Sequence, residues 1–479
     1  MILKKAVFKR FISTSVSLAF FAGCSFADIN DEFIRQCMKI AESRDPKIKI
    51  AYEQVQLAEI RVINAGRAFF PQLMLQHSQS TGKSKSWNVS GGSAINEPEY
   101  RSEEYGIRAS QAIYEGYRTR GMYNYESMMV DIARFNYTKT REELFTQIKL
   151  SYYEYLTLKR ENAALAKAFV IVEELFAKVR NEYRAKAISE LDMVEAENFR
   201  DKVSDMLSAS GRNLDFSTKK LLEIVGIYDL NDINASPSEE LPDDVAEIAF
   251  TIQDLRSFIL TNNLDVQSAR VHQKMADMKI KIGRAKVIPK FYVEGFYGRS
   301  GEAFTTVPLE LSAAWNVALR MSWSLWGSSV EASYNNERVD PSTIVDASRR
   351  VETTTYDVRL AILDDLGYFI ESKEAKVGLN QSHSDFVDTL RARRLEIERA
   401  YNDYMNSLNS ARTLRKEMIL RERKLNLMRK RNFLYEVPTV SLMEESWKYA
   451  EAISGYARTT YQNHASVTEM ERLTLMPLR

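Results

Sequence analysis

The four histidines, His77, His272, His383 and His464, are the natural place to look for chemistry, and their spacing denies it. Zinc sites take at least some of their ligands from short fixed intervals, whereas these residues are scattered along the whole chain, so surface or pore positions are expected for them. No Gly-x-x-x-x-Gly-Lys-Ser/Thr loop is present to cradle nucleotide phosphates, and no Gly-x-Ser-x-Gly turn to present a nucleophile. The chemistry that does recur is that of helix ends. Ser189, followed three residues later by Asp192, has the spacing of a capping box, and Pro438 stops one helix where Thr439 begins the next. A basic run, Arg412, Arg415, Lys416, Arg421, Arg423, Lys424, Arg429, Lys430 and Arg431, reads as a solvated helix face or as a contact for a partner or a duct lining.

The elements that hold these residues occur twice. Residues 58–75 and 276–293 both read as the end of an amphipathic helix that meets a proline, Pro71 or Pro289, and restarts with period-two alternation. Helix becomes strand at the same place in both, so the chain is a tandem duplication.

Composition supports long helices rather than turn-rich α/β domains, since 27% of residues are charged and only 18 are Gly and 10 Pro. The near-balance of charge, formally +1, gives no reason to expect nucleic acid as a partner. Residues 1–27 read as an export signal: Lys4, Lys5, Lys9 and Arg10 precede a short apolar core. Removing those four charges takes the net from +1 to −3 (1 − 4). Cleavage after Ala27 satisfies the small-x-small rule; cleavage before Cys24, with lipidation of that cysteine, is the alternative. With Ala27 the last residue removed, Cys37 is the one cysteine left and no intramolecular disulfide is expected.

No other stretch reaches the roughly 18 apolar residues of a membrane helix, so an exported chain of this kind must touch a membrane through strands. The clearest, 314–326, sets Trp315, Val317, Leu319, Met321, Trp323 and Leu325 against Asn316, Ala318, Arg320, Ser322 and Ser324, as a lipid-facing strand does. Its counterpart in the first half, 104–114, places Tyr105, Ile107 and Ala109 on one face, and Leu73 and Leu75 align with Phe291 and Val293 after the two prolines. Polar loops at 81–101 and 298–309 join the strands of each pair. That makes four strands, too few to close a barrel, so several chains must share one. Each pair is followed by a long helical tract; residues 142–184 alone imply a helix of more than 40 residues, at least ~60 Å.

From 45–46 through Pro71 and Pro289 to Leu473, this arrangement resembles the TolC family of outer-membrane efflux and secretion ducts. Helical turns in that family usually read Gly-x-x-Ser-x-x-Asp. Here Lys186 and Glu436 stand where the glycines would be, Ser189 and Thr439 keep the hydroxyl, Asp192 keeps the acid and Leu442 does not. The resemblance implies an α+β membrane protein with four transmembrane strands per chain in a homotrimeric twelve-stranded barrel. It also implies long antiparallel coiled helices forming a periplasmic α-barrel. The function implied is a passive exit duct of a tripartite efflux or type I secretion system, not an enzyme. It would be set in outer-membrane lipid and docked by a periplasmic adaptor and an inner-membrane transporter, with no cofactor. By the same resemblance Asp192, Glu195 and Glu445 are candidates for a periplasmic aperture, or else acids that simply favour helix N-termini. A coiled-coil periplasmic adaptor or scaffold is the alternative class.

The expected organisation is therefore a signal peptide (1–27) and two repeats, 28–240 and 241–479. The first has a leading helix, a hairpin at about 71–114 and a helical hairpin at about 116–226. The second has a leading helix, a hairpin at about 289–326 and a helical hairpin with an insertion at about 327–475. Tyr114 and Trp326 lie 212 residues apart but Ser189 and Thr439 lie 250 apart, which leaves 38 extra residues (250 − 212) in the second half. Val351, Tyr356, Val358, Ile362, Leu366 and Phe369, at roughly helical spacing between breaks at 335–341 and 378–384, suggest a helical excursion packed outside the duct's middle.

Overall fold

The computed structural model describes residues 32–83, 99–229, 233, 245–304, 308–325, 327–339, 351–364, 366–433 and 436–478. The export signal, Cys24, most of the first polar loop, Trp326 and the Asp340–Pro341 step lie outside the described residues. The first half runs α1 (Glu32–Arg44), α2 (Pro46–Arg67), β1 (Gln72–Lys83), β2 (Glu99–Tyr114), α3 (Arg118–Arg184) and α4 (Glu190–Val225). The second runs α5 (Ile252–Asn262), α6 (Leu264–Arg284), β3 (Lys290–Phe304), β4 (Ser312–Leu325), β5 (Ser328–Val339), β6 (Val351–Ala361), α7 (Gly367–Phe433) and α8 (Thr439–Thr474). Helix gives way to strand directly after Pro71 and Pro289, because the residue before a proline is pushed out of the helical region.

The chain divides into two compact units. One takes in residues up to Tyr52, Phe135–Gln267 and Asp388–Arg479; the other takes in Glu53–Arg134 and Ser268–Val387.

The first unit is helical. Its core repeats every seven residues: Leu165, Val172 and Val179 on α3 and Ala196 and Val203 on α4 are buried together with Leu442, Met443 and Ala450 of α8. A seven-residue period keeps one apolar seam facing its partner over a long distance, the packing of left-handed coiled helices. A second cluster gathers Phe33 and Met38 of α1, Ile148 and Tyr152 of α3 and Leu221 of α4, with Phe33 and Tyr152 stacked at 5.3 Å. His464 is fully buried here, its ring 4.9 Å from that of Tyr153. This corrects the expectation of a surface or pore position: a lone imidazole on the inward face of a long helix is carried into the core with its neighbours.

The second unit contains one antiparallel sheet in the order β1-β2-β3-β4-β5-β6, each strand paired with its neighbour in sequence. The strand count differs from expectation: six are present among the described residues, not four. The extra residues of the second half form the hairpin β5–β6, not a helical excursion. Tyr356, Val358 and Leu360 alternate along β6, and period two overrides the looser three-and-four spacing read from Val351 to Phe369. Nor does 378–384 break the chain, since α7 runs through it without interruption. With the hairpin set aside the halves match: α3 and α7 have 67 residues each, and α4 and α8 have 36 each.

Candidate functional site: an amphipathic sheet and two helical turns

In the sheet, register decides which side chains share a face. Leu75 of β1 lies opposite Ile107 of β2, which lies opposite Tyr297 of β3, which lies opposite Trp315 of β4. Further along the strands Val293 meets Leu319, and Leu319 meets Tyr334, which meets Tyr356; Phe291 meets Met321, and Met321 meets Ala332, which meets Val358. The expected lipid-facing residues of β4, Trp315, Val317, Leu319, Met321, Trp323 and Leu325, thus occupy one side of a sheet whose neighbours on that side are mostly apolar, with Arg338 opposite Trp315, Asn336 opposite Val317 and Gln111 opposite Val293 among the exceptions. This side is open rather than packed: Leu75 is 83% exposed, Tyr297 73% and Val358 72%. Alternating strands with one broad unpacked apolar face suit lipid rather than water. Rings stand on it, with Tyr334 and Tyr356 5.1 Å apart, and Trp323 donates its indole N–H to the Val287 carbonyl at 2.9 Å.

The opposite face is polar and internally bonded. Arg108 donates through Nε to Gln76 Oε1 at 2.9 Å, Gln76 donates to Glu104 at 3.2 Å, and Asn316 donates to Asn335 Oδ1 at 2.6 Å. Arg320 lies 3.8 Å from Glu294. On this face Phe296 lies across Gly106 and Gly298, which leave room for its ring; a Cβ on Gly106 would stand 2.6 Å from Phe296 Cε2. Such a face can line water.

The turns lie in the helical unit. At the first, Lys186 takes a left-handed conformation with φ 58°, and Ala187 N–H donates back to the Glu182 carbonyl at 2.9 Å. This is the glycine position of the resembled motif, and the conformation explains why glycine suits it. Ser189 and Asp192 form the expected capping box: Asp192 N–H donates to Ser189 Oγ at 3.2 Å and Ser189 N–H to Asp192 Oδ2 at 3.1 Å. The Ser189 hydroxyl and N–H, by donating to Asp192, hold its carboxyl below the ordinary range. Glu195 is exposed on the following turn.

The second turn is built differently. Thr439 is the first helical residue after Pro438 and its hydroxyl caps nothing; it donates across to Glu182 Oε1 of α3 at 2.9 Å. Asn432, buried at the end of α7, donates to the Val437 carbonyl at 2.9 Å and to Thr439 Oγ1 at 3.2 Å while accepting from Lys178 Nζ at 2.6 Å. Glu436 donates its N–H to the Arg431 carbonyl at 3.0 Å and has no left-handed backbone, unlike Lys186. Glu445 is 3% exposed and paired with Lys424 Nζ at 2.6 Å and Arg421 Nη1 at 3.2 Å. Burial pushes its carboxyl up, but the hydrogen bonds from Lys424 and Arg421 outweigh that and leave it below the usual value.

The structure thus places Asp192 and Glu195 on the surface of α4 and encloses Glu445 between two cations. Sequence reasoning missed Lys178, Glu182 and Asn432, which have no local motif. It named Arg421 and Lys424 only as part of a basic run. Of that run Arg412 also has a partner, Glu247 at 2.6 Å. Among the described residues no helix is long and apolar enough to cross a membrane, which says nothing against strands doing so.

Residues 38–223 match the model of the outer membrane efflux protein family. No match was found among curated protein sequences. Among solved structures the fold is similar to that of a membrane protein from Pseudomonas aeruginosa, with TM-score 0.72 and 14% identity over 93% of this chain and 90% of that one. It is similar to the VceC outer membrane protein of Vibrio cholerae, with TM-score 0.70 and 12% identity over 93% and 97% of the two chains. The CmeC outer membrane channel of Campylobacter jejuni gives 0.66 and 15% over 93% and 86%.

Proposed function

We propose, from the match of residues 38–223 to the outer membrane efflux protein family, that this chain is an outer-membrane channel of that family and works as a homotrimeric, passive exit duct. It receives cargo from a periplasmic adaptor and an inner-membrane transporter, in an efflux or type I secretion assembly, and carries out no catalysis of its own. The observation that carries this reading is the sheet: six strands in sequential order, one face apolar and exposed, the other polar and bonded within itself. An isolated sheet of that kind has two bare edges, and in lipid every backbone group needs a partner, so copies must complete one another. A coiled-coil adaptor or scaffold would share the long helices but has no use for such a sheet. Separating inner from outer membranes tests the assignment: the chain is expected in the outer-membrane fraction as a species that resists mild detergent. Recovery in the soluble periplasmic fraction would overturn it.

For the periplasmic end, Asp192 and Glu195 are the acids whose exposure suits an aperture lining, while Glu445 acts as an internal tie between α7 and α8. Three copies would bring six carboxylates (3 × 2) to one mouth and favour cations there. In single-channel recordings the double substitution D192N/E195Q is expected to weaken cation selectivity, and E445Q to leave selectivity in place. Unchanged selectivity in D192N/E195Q would leave these acids with only their helix-end role.

A further inference from the structure

The 38 residues by which the second half exceeds the first (250 − 212) fold into the same sheet as the strands both halves share. β5 pairs with β4 along its whole length, from Leu325 opposite Ser328 to Ala314 opposite Val339. β6 pairs with β5 from Ser329 opposite Ala361 to Val339 opposite Val351. The hydrogen-bonding edge of β4 that would otherwise meet another copy is therefore occupied.

We infer that β5 and β6 are wall strands of the membrane barrel, so that each chain contributes six strands and β6 of one copy bonds to β1 of the next. Three copies then close an eighteen-stranded barrel. This rests on the trimeric-duct reading above and extends it to the size and lining of the outer opening.

Four features of the sheet support closure through β6. Direction is the first: adding a hairpin adds two strands, so β6 runs antiparallel to β1, as a strand in place of β4 would. The second is facing. Val330 opposite Leu360, Ala332 opposite Val358 and Tyr334 opposite Tyr356 continue the apolar side of β4, with Leu73 and Leu75 ready on the same side of β1. Length is the third, since β1 and β5 have 12 residues and β6 has 11, enough for a tilted membrane strand. The fourth is cost. Closing through β4 would require unzipping the β4–β5 ladder and leaving the freed edge of β5 unpaired; in hydrocarbon each unsatisfied group costs several kcal/mol.

Two consequences follow for what passes. With strands about 4.8 Å apart and tilted by about 40°, twelve strands give a backbone diameter of ~24 Å and eighteen give ~36 Å. The hairpin also adds Glu331, Glu337, Asp357 and Arg359 to the polar side, a net charge of −2 per chain (1 − 3) and −6 per trimer (3 × −2). The outer opening is wider and more acidic than the four strands common to both halves would make it.

Cysteine cross-linking in outer membranes tests this. Thr355 on β6 or Asn316 on β4 is exchanged for Cys, each combined in turn with Gln76→Cys, Ser78→Cys or Ser80→Cys on β1, all on the polar face; Cys37 is buried and the unsubstituted chain is the control. Thr355→Cys is expected to give covalent dimers and trimers on denaturing gels, and Asn316→Cys none. Removing residues 328–365 should transfer the cross-link to Asn316→Cys. Links from Asn316→Cys in the full chain, or none from Thr355→Cys in a chain that is trimeric by mass, would overturn the inference. Electron cryomicroscopy of the unsubstituted complex gives a second decision, eighteen strands supporting it and twelve refuting it. A monomer by mass would instead remove the trimeric reading on which it stands.

Discussion

Replacing Glu445 by Gln removes a charge that is 3% exposed while keeping the shape of the side chain. Its two partners stand at 2.6 Å (Lys424) and 3.2 Å (Arg421). At an effective dielectric near 20 each attraction is roughly 5–6 kcal/mol before the cost of removing the charges from water. Breaking a buried pair by deleting one partner costs ~3–5 kcal/mol. Here Lys424 keeps 51% and Arg421 27% of its side chain in contact with water, so both cations can rehydrate and the loss falls to about 2 kcal/mol. The assay is a denaturant titration of the detergent-solubilised complex followed by helical circular dichroism, for the natural protein and E445Q. The sign with pH is fixed by the lowered carboxyl. The wild-type advantage is full above the ordinary glutamate value of 4.5 and is lost as pH falls below it, through the lowered value. Equal stability at neutral pH, or a gap that stays constant down to pH 3, would refute the tie between α7 and α8.

Three further outcomes follow from particular backbone positions. K186G should stabilise the first helical turn by about 1 kcal/mol, read as a rise in the denaturant midpoint, because it relieves a left-handed conformation at φ 58°. S189A should cost about 1 kcal/mol in the same titration by opening the capping box with Asp192. G106A should lower the yield of heat-resistant oligomer sharply, since its Cβ would meet Tyr297 O at 2.5 Å and Gly298 Cα at 2.8 Å, backbone atoms that cannot turn away. G295A is the control: its nearest neighbour is Asn316 O at 3.8 Å.

Much of this architecture was legible wherever a local rule acts on local residues. Pro71 and Pro289 mark the two helix-to-strand steps, Ser189 and Asp192 make their capping box, and the alternation from Trp315 to Leu325 is strand β4. The hairpin reads as helix in the sequence because Val351, Val358, Ile362 and Phe369 fall near helical intervals by coincidence. Tyr356, Val358, Leu360 and Ile362 carried the truer period, reinforced by the run from Thr353 to Thr355, whose branched side chains favour strands. Gly378 looked like a break, but it stands on an exposed helix face with nothing within 4 Å of its would-be Cβ, and a helix of 67 residues absorbs the ~1 kcal/mol it costs. The partners of Glu445 were readable in principle, since residues 424 and 421 lie nine and twelve residues before the end of α7 and 445 six after the start of α8, all within a few turns of the same antiparallel connection. The clamp of Lys178 and Glu182 on Asn432 and Thr439 was not, because helices distant in sequence meet there through tertiary packing alone.

The central claim is that this sheet is completed only by other copies of itself. Native mass measurement of the complex purified in detergent from outer membranes tests it most directly. A single species of three chains is the expected result; a stable, folded monomer would contradict the claim.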